Sequence, residues 1–266
     1  MVSMKKAIIY LIGFVVIQLL IGFIVTTVWK LITKSEDMTT ALLITMTVAS
    51  AVVAIAIFLV ARWAEVSPNW MRTRPWLVLT WSVIAALGAL IPSTWLQEQI
   101  PELPNWMDNE FDMILSNRWG YLAIGLLAPL SEEIVLRGAV LRSLLEKPLL
   151  TGRSERVNIW TAITISAFFF ALIHMNPAQM PHAFVIGLLL GWMYWRTGSI
   201  LPGVAYHWAN NSMAYILYNI YPNPDLKLID ILGSEQRVLM ALGFSLLILV
   251  PAIYQLNMWM KRADEK

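Results

Sequence analysis

Apolar runs long enough to cross a bilayer recur eight times along this chain of 266 residues, and no other feature constrains its fold as strongly. A span needs about 20 mainly apolar residues. The candidates are 7–29, 39–62, 75–93, 119–145, 158–174, 181–196, 200–220 and 237–260; the fifth and sixth are short, and the fourth is long enough to project beyond the hydrocarbon. Composition agrees, with 58% hydrophobic and 14% charged residues. A soluble domain of this length could not hide so much apolar surface. The expected fold class is therefore an all-α polytopic membrane protein of about eight transmembrane helices.

Charge placement orients these spans. With a cytoplasmic N-terminus, the inner segments hold Lys5, Lys6, Arg62, Arg72, Arg74, Arg142, Lys147, Arg153, Arg156, Arg196, Lys261, Arg262 and Lys266. The outer segments hold Lys30, Lys34, Arg118, Lys227 and Arg237. The positive-inside rule then predicts a multi-pass protein of the cell membrane with both termini cytoplasmic. Trp29, Trp63, Trp76, Trp160, Trp195 and Trp259 fall at expected span ends, where amphipathic rings prefer the interface. A net charge of +2 without a basic tract argues against a nucleic-acid partner. Cysteine is absent, which excludes disulfides, thiolate metal sites and a cysteine nucleophile. The first run follows Lys5 and Lys6, exceeds a signal-peptide core and is expected to be retained as a span.

The longest stretch outside the spans, from Ser93 to Arg118, is acidic, carries Pro101 and Pro104, and is expected on the outer surface. The chain divides on this reading into an N-terminal transmembrane scaffold, 1–115, a transmembrane core that carries the embedded polar residues, 116–222, and a C-terminal span with a short cytoplasmic tail, 223–266.

The fourth span reads LAPLSEEIVLRGAVLRSLL. A charged residue at a helix centre costs roughly 2.5–3.5 kcal/mol on insertion scales, so embedded charges face protein or water and are functional by default. Four-residue spacing puts Glu133 and Arg137 on one face, where they can pair. Glu132 is turned away from that face, and the residue four beyond it is Leu136. Glu133 and Arg137 therefore read as structural support, while Glu132 is free to take up and release a proton. A wholly structural ion-pair cluster is the competing reading. Pro129 cannot donate to the Gly125 carbonyl, so a kink is expected just before the pair.

The fifth span ends FFFALIHMNP, with Phe170 and His174 sharing a face. The seventh contains His207 and Asn211 at the same spacing. Alone, each of these pairs is more often structural than catalytic. Together with a paired-glutamate helix they supply the carboxylate and imidazole that activate water, and an imidazole and amide that can donate to an oxyanion. No serine stands in a nucleophile motif; Ser131 lacks a triad. Asn210 and Ser212 read as interhelical hydrogen-bonding residues, and His182, beside Pro181, as interfacial.

Glu132-Glu133-x-x-x-Arg137, Phe170-x-x-x-His174 and His207-x-x-x-Asn211, in order on separate spans, resemble the three motifs of the CPBP family. That family groups CAAX prenyl proteases with bacteriocin-processing and immunity proteins, and is also called Abi. The turn Arg196-Thr197-Gly198-Ser199 is similar to the family's pattern, and the resemblance covers roughly residues 120–220. It implies an eight-helix fold enclosing an intramembrane cavity. Glu132 and His174 would activate water, His207 and Asn211 would stabilise the oxyanion, and Glu133, Arg137 and Phe170 would support the site. It leaves two chemistries open: a glutamate base acting alone, or a divalent metal such as zinc on Glu132, His174 and His207, although no helical H-E-x-x-H is present.

The expected function is an intramembrane endopeptidase that acts on a peptide or membrane-protein substrate near the cytoplasmic face. One alternative is a non-catalytic family member acting in immunity or as a partner-binding scaffold. Another is a small proton-coupled transporter, which embedded Glu, His and Arg also suit; the chain shows no repeat or paired broken helices to support it. One feature strains the model. At about 1.5 Å per residue, His174 lies ~24 Å along its span, further out than Glu132 and His207. The expected remedy is a cytoplasmic extension of the fifth helix.

Overall fold

The computed structural model describes residues 2–66, 75–223 and 226–260, which are helical throughout apart from short connections. The order is α1 (Val2–Thr33), α2 (Thr40–Val60), α3 (Pro75–Glu98), α4 (Asp108–Leu115), α5 (Ala128–Val135), α6 (Arg142–Leu145), α7 (Glu155–Ile173), α8 (Met180–Thr197), α9 (Leu201–Ile220), α10 (Leu228–Leu232) and α11 (Glu235–Trp259). π-Helical turns at Tyr121–Leu127 and Leu136–Leu141 join α5 and α6 into one composite helix. Each of the eight expected spans finds a helix at its position.

Local sequence explains the helix starts. The side-chain oxygens of Thr39, Ser154 and Ser234 accept from the N–H groups of Leu42, Val157 and Arg237, capping α2, α7 and α11. Long apolar faces of α1 and α11 point outward, with Phe23 70% and Leu247 70% exposed. Apolar surface on that scale marks a lipid-facing wall. α11 packs on α3 where Gly88 lets the backbones meet, since a Cβ there would lie 2.8 Å from the Leu249 nitrogen.

Among the described residues five helices are long and apolar enough to cross a membrane on length and composition: Ser3–Thr33, Thr40–Val60, Trp76–Glu98, Glu155–Ile173 and Glu235–Trp259. The other three expected spans, 119–145, 181–196 and 200–220, are helical but carry the embedded polar residues, which lower their hydropathy.

Side-chain bonds gather the helix ends into two poles. At the first, Lys6 pairs with Glu146 at 2.8 Å, Arg142 with Glu65 at 2.9 Å, and Arg196 donates to the Asn257 carbonyl at 2.7 Å. Lys5, Arg62, Lys147, Arg153 and Arg156 occupy the same ends, making this the basic pole; Arg72, Arg74, Lys261, Arg262 and Lys266, counted with it in sequence, lie outside the described residues. At the opposite pole Gln97 donates to the Ala178 carbonyl at 2.8 Å, Asn219 to that of Leu115 at 3.0 Å, and the Leu228 N–H to Glu98 at 2.7 Å. There Glu36, Asp37, Glu102, Asp108, Glu110, Asp112, Asp230 and Glu235 join Glu98, making it acidic. The 93–118 stretch, expected at the surface, crosses this pole and includes α4.

The His174 depth problem has a structural answer. α7 begins at Glu155, three residues before the expected start, and its far end is a buried turn. Asn176 is fully buried there, its Oδ1 accepting from the Trp106 N–H at 3.2 Å and its Nδ2 donating to Asn105 at 2.7 Å. The Ala178 N–H also donates to the Pro104 carbonyl at 3.3 Å. The α7–α8 turn thus ends beneath a roof formed by residues 97–107, which brings His174 down to the other site residues.

Candidate active site

The composite helix is interrupted by one proline. In the π-helical turn each N–H reaches five residues back, and Ala128 accordingly donates to the Ala123 carbonyl. The next acceptor in that ladder is Ile124, whose donor would be residue 129. Pro129 has no N–H. Asn211 of α9 supplies the missing donor instead, its Nδ2 lying 3.1 Å from the Ile124 oxygen. The neighbouring Ser212 hydroxyl lies 3.0 Å from the Tyr121 hydroxyl, which accepts from Trp208 at 3.0 Å, so α9 is stitched to this stretch along two turns.

The two glutamates then take different environments. The Glu133 and Arg137 side chains are both 0% exposed and bond at 2.7 Å. Arg137 donates a second bond to the Gly187 carbonyl at 3.3 Å, and its Cζ lies 4.4 Å from the centre of the Phe170 ring. Gly203 of α9 makes room for the carboxylate, because a Cβ there would stand 2.6 Å from Glu133 Oε2. That oxygen and Arg137 Nε have no hydrogen-bond partner among the described residues. The Glu132 side chain is 18% exposed and lines a cavity.

Between the carboxylates stands His207. Its Nδ1 is 3.3 Å from Glu133 Oε1 and its Nε2 is 3.7 Å from Glu132 Oε2. A carboxylate only accepts, so Nδ1 carries the proton and Nε2 faces Glu132. His174 places Nδ1 2.7 Å from the Phe170 carbonyl, and by the same argument its Nε2 is left as an acceptor. Both imidazoles stand perpendicular to the Phe170 ring, with centroids at 5.0 and 5.5 Å. Phe170 thus fixes both histidine rings and the Arg137 guanidinium.

The cavity encloses about 610 Å³. Glu132, His174, His207 and Asn211 all line it, and so does His182, expected at the interface. α8 starts at Met180 beneath the roof, so the first turn that carries His182 opens into the cavity. Sequence reading also missed Met107 of the roof, Glu110 and Phe111 of the adjoining α4, and the wall that α1 and α2 contribute through Gln18, Met46 and Ser50. The acidic first turn and apolar end of α4 were the legible signal for the roof; Gln18 and Met46 carried none.

The zinc alternative is tested by the donor geometry. Among the described residues no group of three His, Asp or Glu side chains stands close enough to hold a metal ion. Glu132, His174 and His207 do not form the three-donor set considered from sequence. His207 meets Glu132, whereas His174 is turned to its own helix through Phe170.

A bundle of membrane-spanning helices that closes on a polar cavity with paired glutamates and three imidazoles defines a polytopic membrane protein with an embedded site. Residues 114–213 match the family model described as Rce1-like, type II CAAX prenyl endopeptidase Rce1-like, and every candidate site residue falls within that segment. Over that segment, a little over a third of its length, the chain is similar to the CAAX-type intramembrane proteases of the CPBP family. No curated protein and no solved structure matches the chain.

Proposed function

We propose that this protein is an intramembrane endopeptidase in which Glu132 activates the water that attacks the scissile carbonyl. The observation that carries this reading is the contrast between two adjacent carboxylates. Glu133 is sealed and paired with Arg137, while Glu132 opens on a cavity shared with His174, His207 and Asn211.

Glu132 takes a proton from water as the water oxygen bonds to the carbonyl carbon. His174 Nε2 accepts the water's other hydrogen and orients it. Negative charge gathers on the former carbonyl oxygen, where the second Asn211 N–H donates; the first is engaged by Ile124. His207 Nε2 donates to the same oxygen when the ring is doubly protonated. The C–N bond then breaks, and the proton held by Glu132 passes to the leaving nitrogen. Such preorganised donors contribute about 10²–10³ in rate each. Glu133, Arg137 and Phe170 act through His207 and His174 as positioning residues.

The test is a comparison of newly formed N- and C-terminal peptides in cells carrying the wild-type chain or Glu132→Gln at equal membrane abundance. Termini that depend on Glu132 and on His174 support the peptidase and identify its substrate. Indistinguishable profiles, alongside a phenotype that survives Glu132→Gln, would sink hydrolysis as the function.

A further inference from the structure

A third imidazole faces the cavity and has no part in the chemistry above. The chain holds three histidines, and all of them line the same space. His174 and His207 each commit Nδ1 to an acceptor, which fixes the ring and its tautomer. Among the described residues His182 has no hydrogen-bond partner, although it stands within electrostatic reach of both other rings. An imidazole without a partner to fix its tautomer is poorly suited to a proton relay. It is well suited to a ligand that brings the partner with it.

The ring is free, but its mount is rigid. The Asn176 carbonyl accepts from the Gln179 and Met180 N–H groups at 3.0 and 3.2 Å, and the Gln179 carbonyl accepts from Ala183 at 3.0 Å, which closes the first turn of α8. The roof holds the same turn: Ala178 donates to the Pro104 carbonyl at 3.3 Å, and Gln97 to that of Ala178 at 2.8 Å. Helical spacing then turns Gln179, His182, Ala183 and Ile186 to one face, and all four line the cavity. That face is polar in its first turn and apolar beyond it. The Gln179 amide, like the His182 ring, has no hydrogen-bond partner among the described residues.

An extended peptide carried into such a cavity loses water from its N–H and C=O groups, and each one left unpaired is costly. A neutral imidazole presents one donor and one acceptor, and a glutamine amide presents both as well. We propose that His182, with Gln179 beside it, binds the backbone of the peptide flanking the scissile bond. Resting on the peptidase reading, His182 is a substrate-binding residue that acts on affinity and not on bond cleavage. What it recognises is main chain, so at that position the site takes an extended segment and makes little demand on the side chain.

The test uses the purified full-length protein in detergent and, as probe, a synthetic peptide spanning a junction whose cleavage depends on Glu132. His182→Leu should raise KM about three- to tenfold, as expected for the loss of a hydrogen bond or two, with kcat held within about twofold. His182→Gln, which keeps a donor and an acceptor, should recover most of that loss. An unchanged KM in His182→Leu overturns the proposal. So does a fall in kcat at constant KM, which would place His182 in the bond-breaking step. Should His182→Leu fail to accumulate, Gln179→Ala carries the same comparison, with a rise in KM expected. Carbethoxylation by diethyl pyrocarbonate gives a readout independent of cleavage, since mass spectrometry resolves the three histidines. His182 should react in the folded protein, and in Glu132→Gln the intact peptide should slow that reaction. An unreactive His182, or a rate that the peptide leaves unchanged, overturns the assignment. If no peptide shows Glu132-dependent cleavage, it is the peptidase reading that fails, and this assignment falls with it.

Discussion

Asn211 donates its side-chain amide to the Ile124 carbonyl, the acceptor that Pro129 deprives of a backbone donor. A residue first read as an oxyanion donor is therefore also a repair to a broken helix. The two roles can be separated. Asn211→Ala leaves a partly buried carbonyl without its donor, which costs up to about 1–3 kcal/mol. Adding Pro129→Ala restores an N–H to the ladder. The double variant should regain most of the lost stability in detergent unfolding, yet stay as inactive as Asn211→Ala. Recovery of activity with stability would show that the amide has only the structural role.

Glu132 and Glu133 should fail in opposite ways. Glu132→Gln is expected to keep the wild-type unfolding midpoint and lose about 10²–10⁴-fold in rate, the usual worth of a general base. Glu133→Gln leaves the Arg137 charge buried without its counterion, at a cost of about 3–5 kcal/mol. Thermal unfolding of both variants, read beside peptide cleavage, distinguishes these outcomes.

Phe170 touches three groups of the site at once, so its substitutions should grade. Phe170→Leu keeps much of the volume but removes the aromatic face beneath Arg137, a loss of about 0.5–2 kcal/mol. Phe170→Ala adds a cavity and should cost about 3–5 kcal/mol. Equal effects of the two on unfolding would mean that packing alone matters there.

Gly203 bears on the site without touching substrate. Gly203→Ala drives a methyl group towards Glu133 Oε2 and is expected to destabilise by about 1–3 kcal/mol, as overpacking does. Because Glu133 holds His207, cleavage should fall as well, and Gly203→Ser should be no better tolerated. Wild-type activity in Gly203→Ala would show that the carboxylate has room to move.

The parts of this structure that sequence made legible are those governed by short-range rules. Helical spacing put Arg137 over Glu133, and the pair forms as expected. Pro129 announced an irregular helix, and π-helical winding precedes it. Apolar length placed the helices within a few residues. What stayed hidden depends on contacts between distant segments. His207, not His174, meets Glu132, because α9 docks against α5 while His174 is tied to its own helix. His182 enters the cavity because residues 97–107 roof the turn before it, and nothing local to His182 encodes that.

The Glu133–Arg137 contact also bears on biogenesis. Its partners are four residues apart on one helix, so the bond is available before any later segment has been synthesised. The nascent composite helix can then enter lipid with those opposite charges already cancelled, easing the cost of embedding either one alone. His207 arrives only with α9, some seventy residues later in the chain. Until that helix docks, the His207 imidazole is not beside the Glu132 carboxylate, so the proposed catalytic grouping comes into being only once most of the bundle has been made.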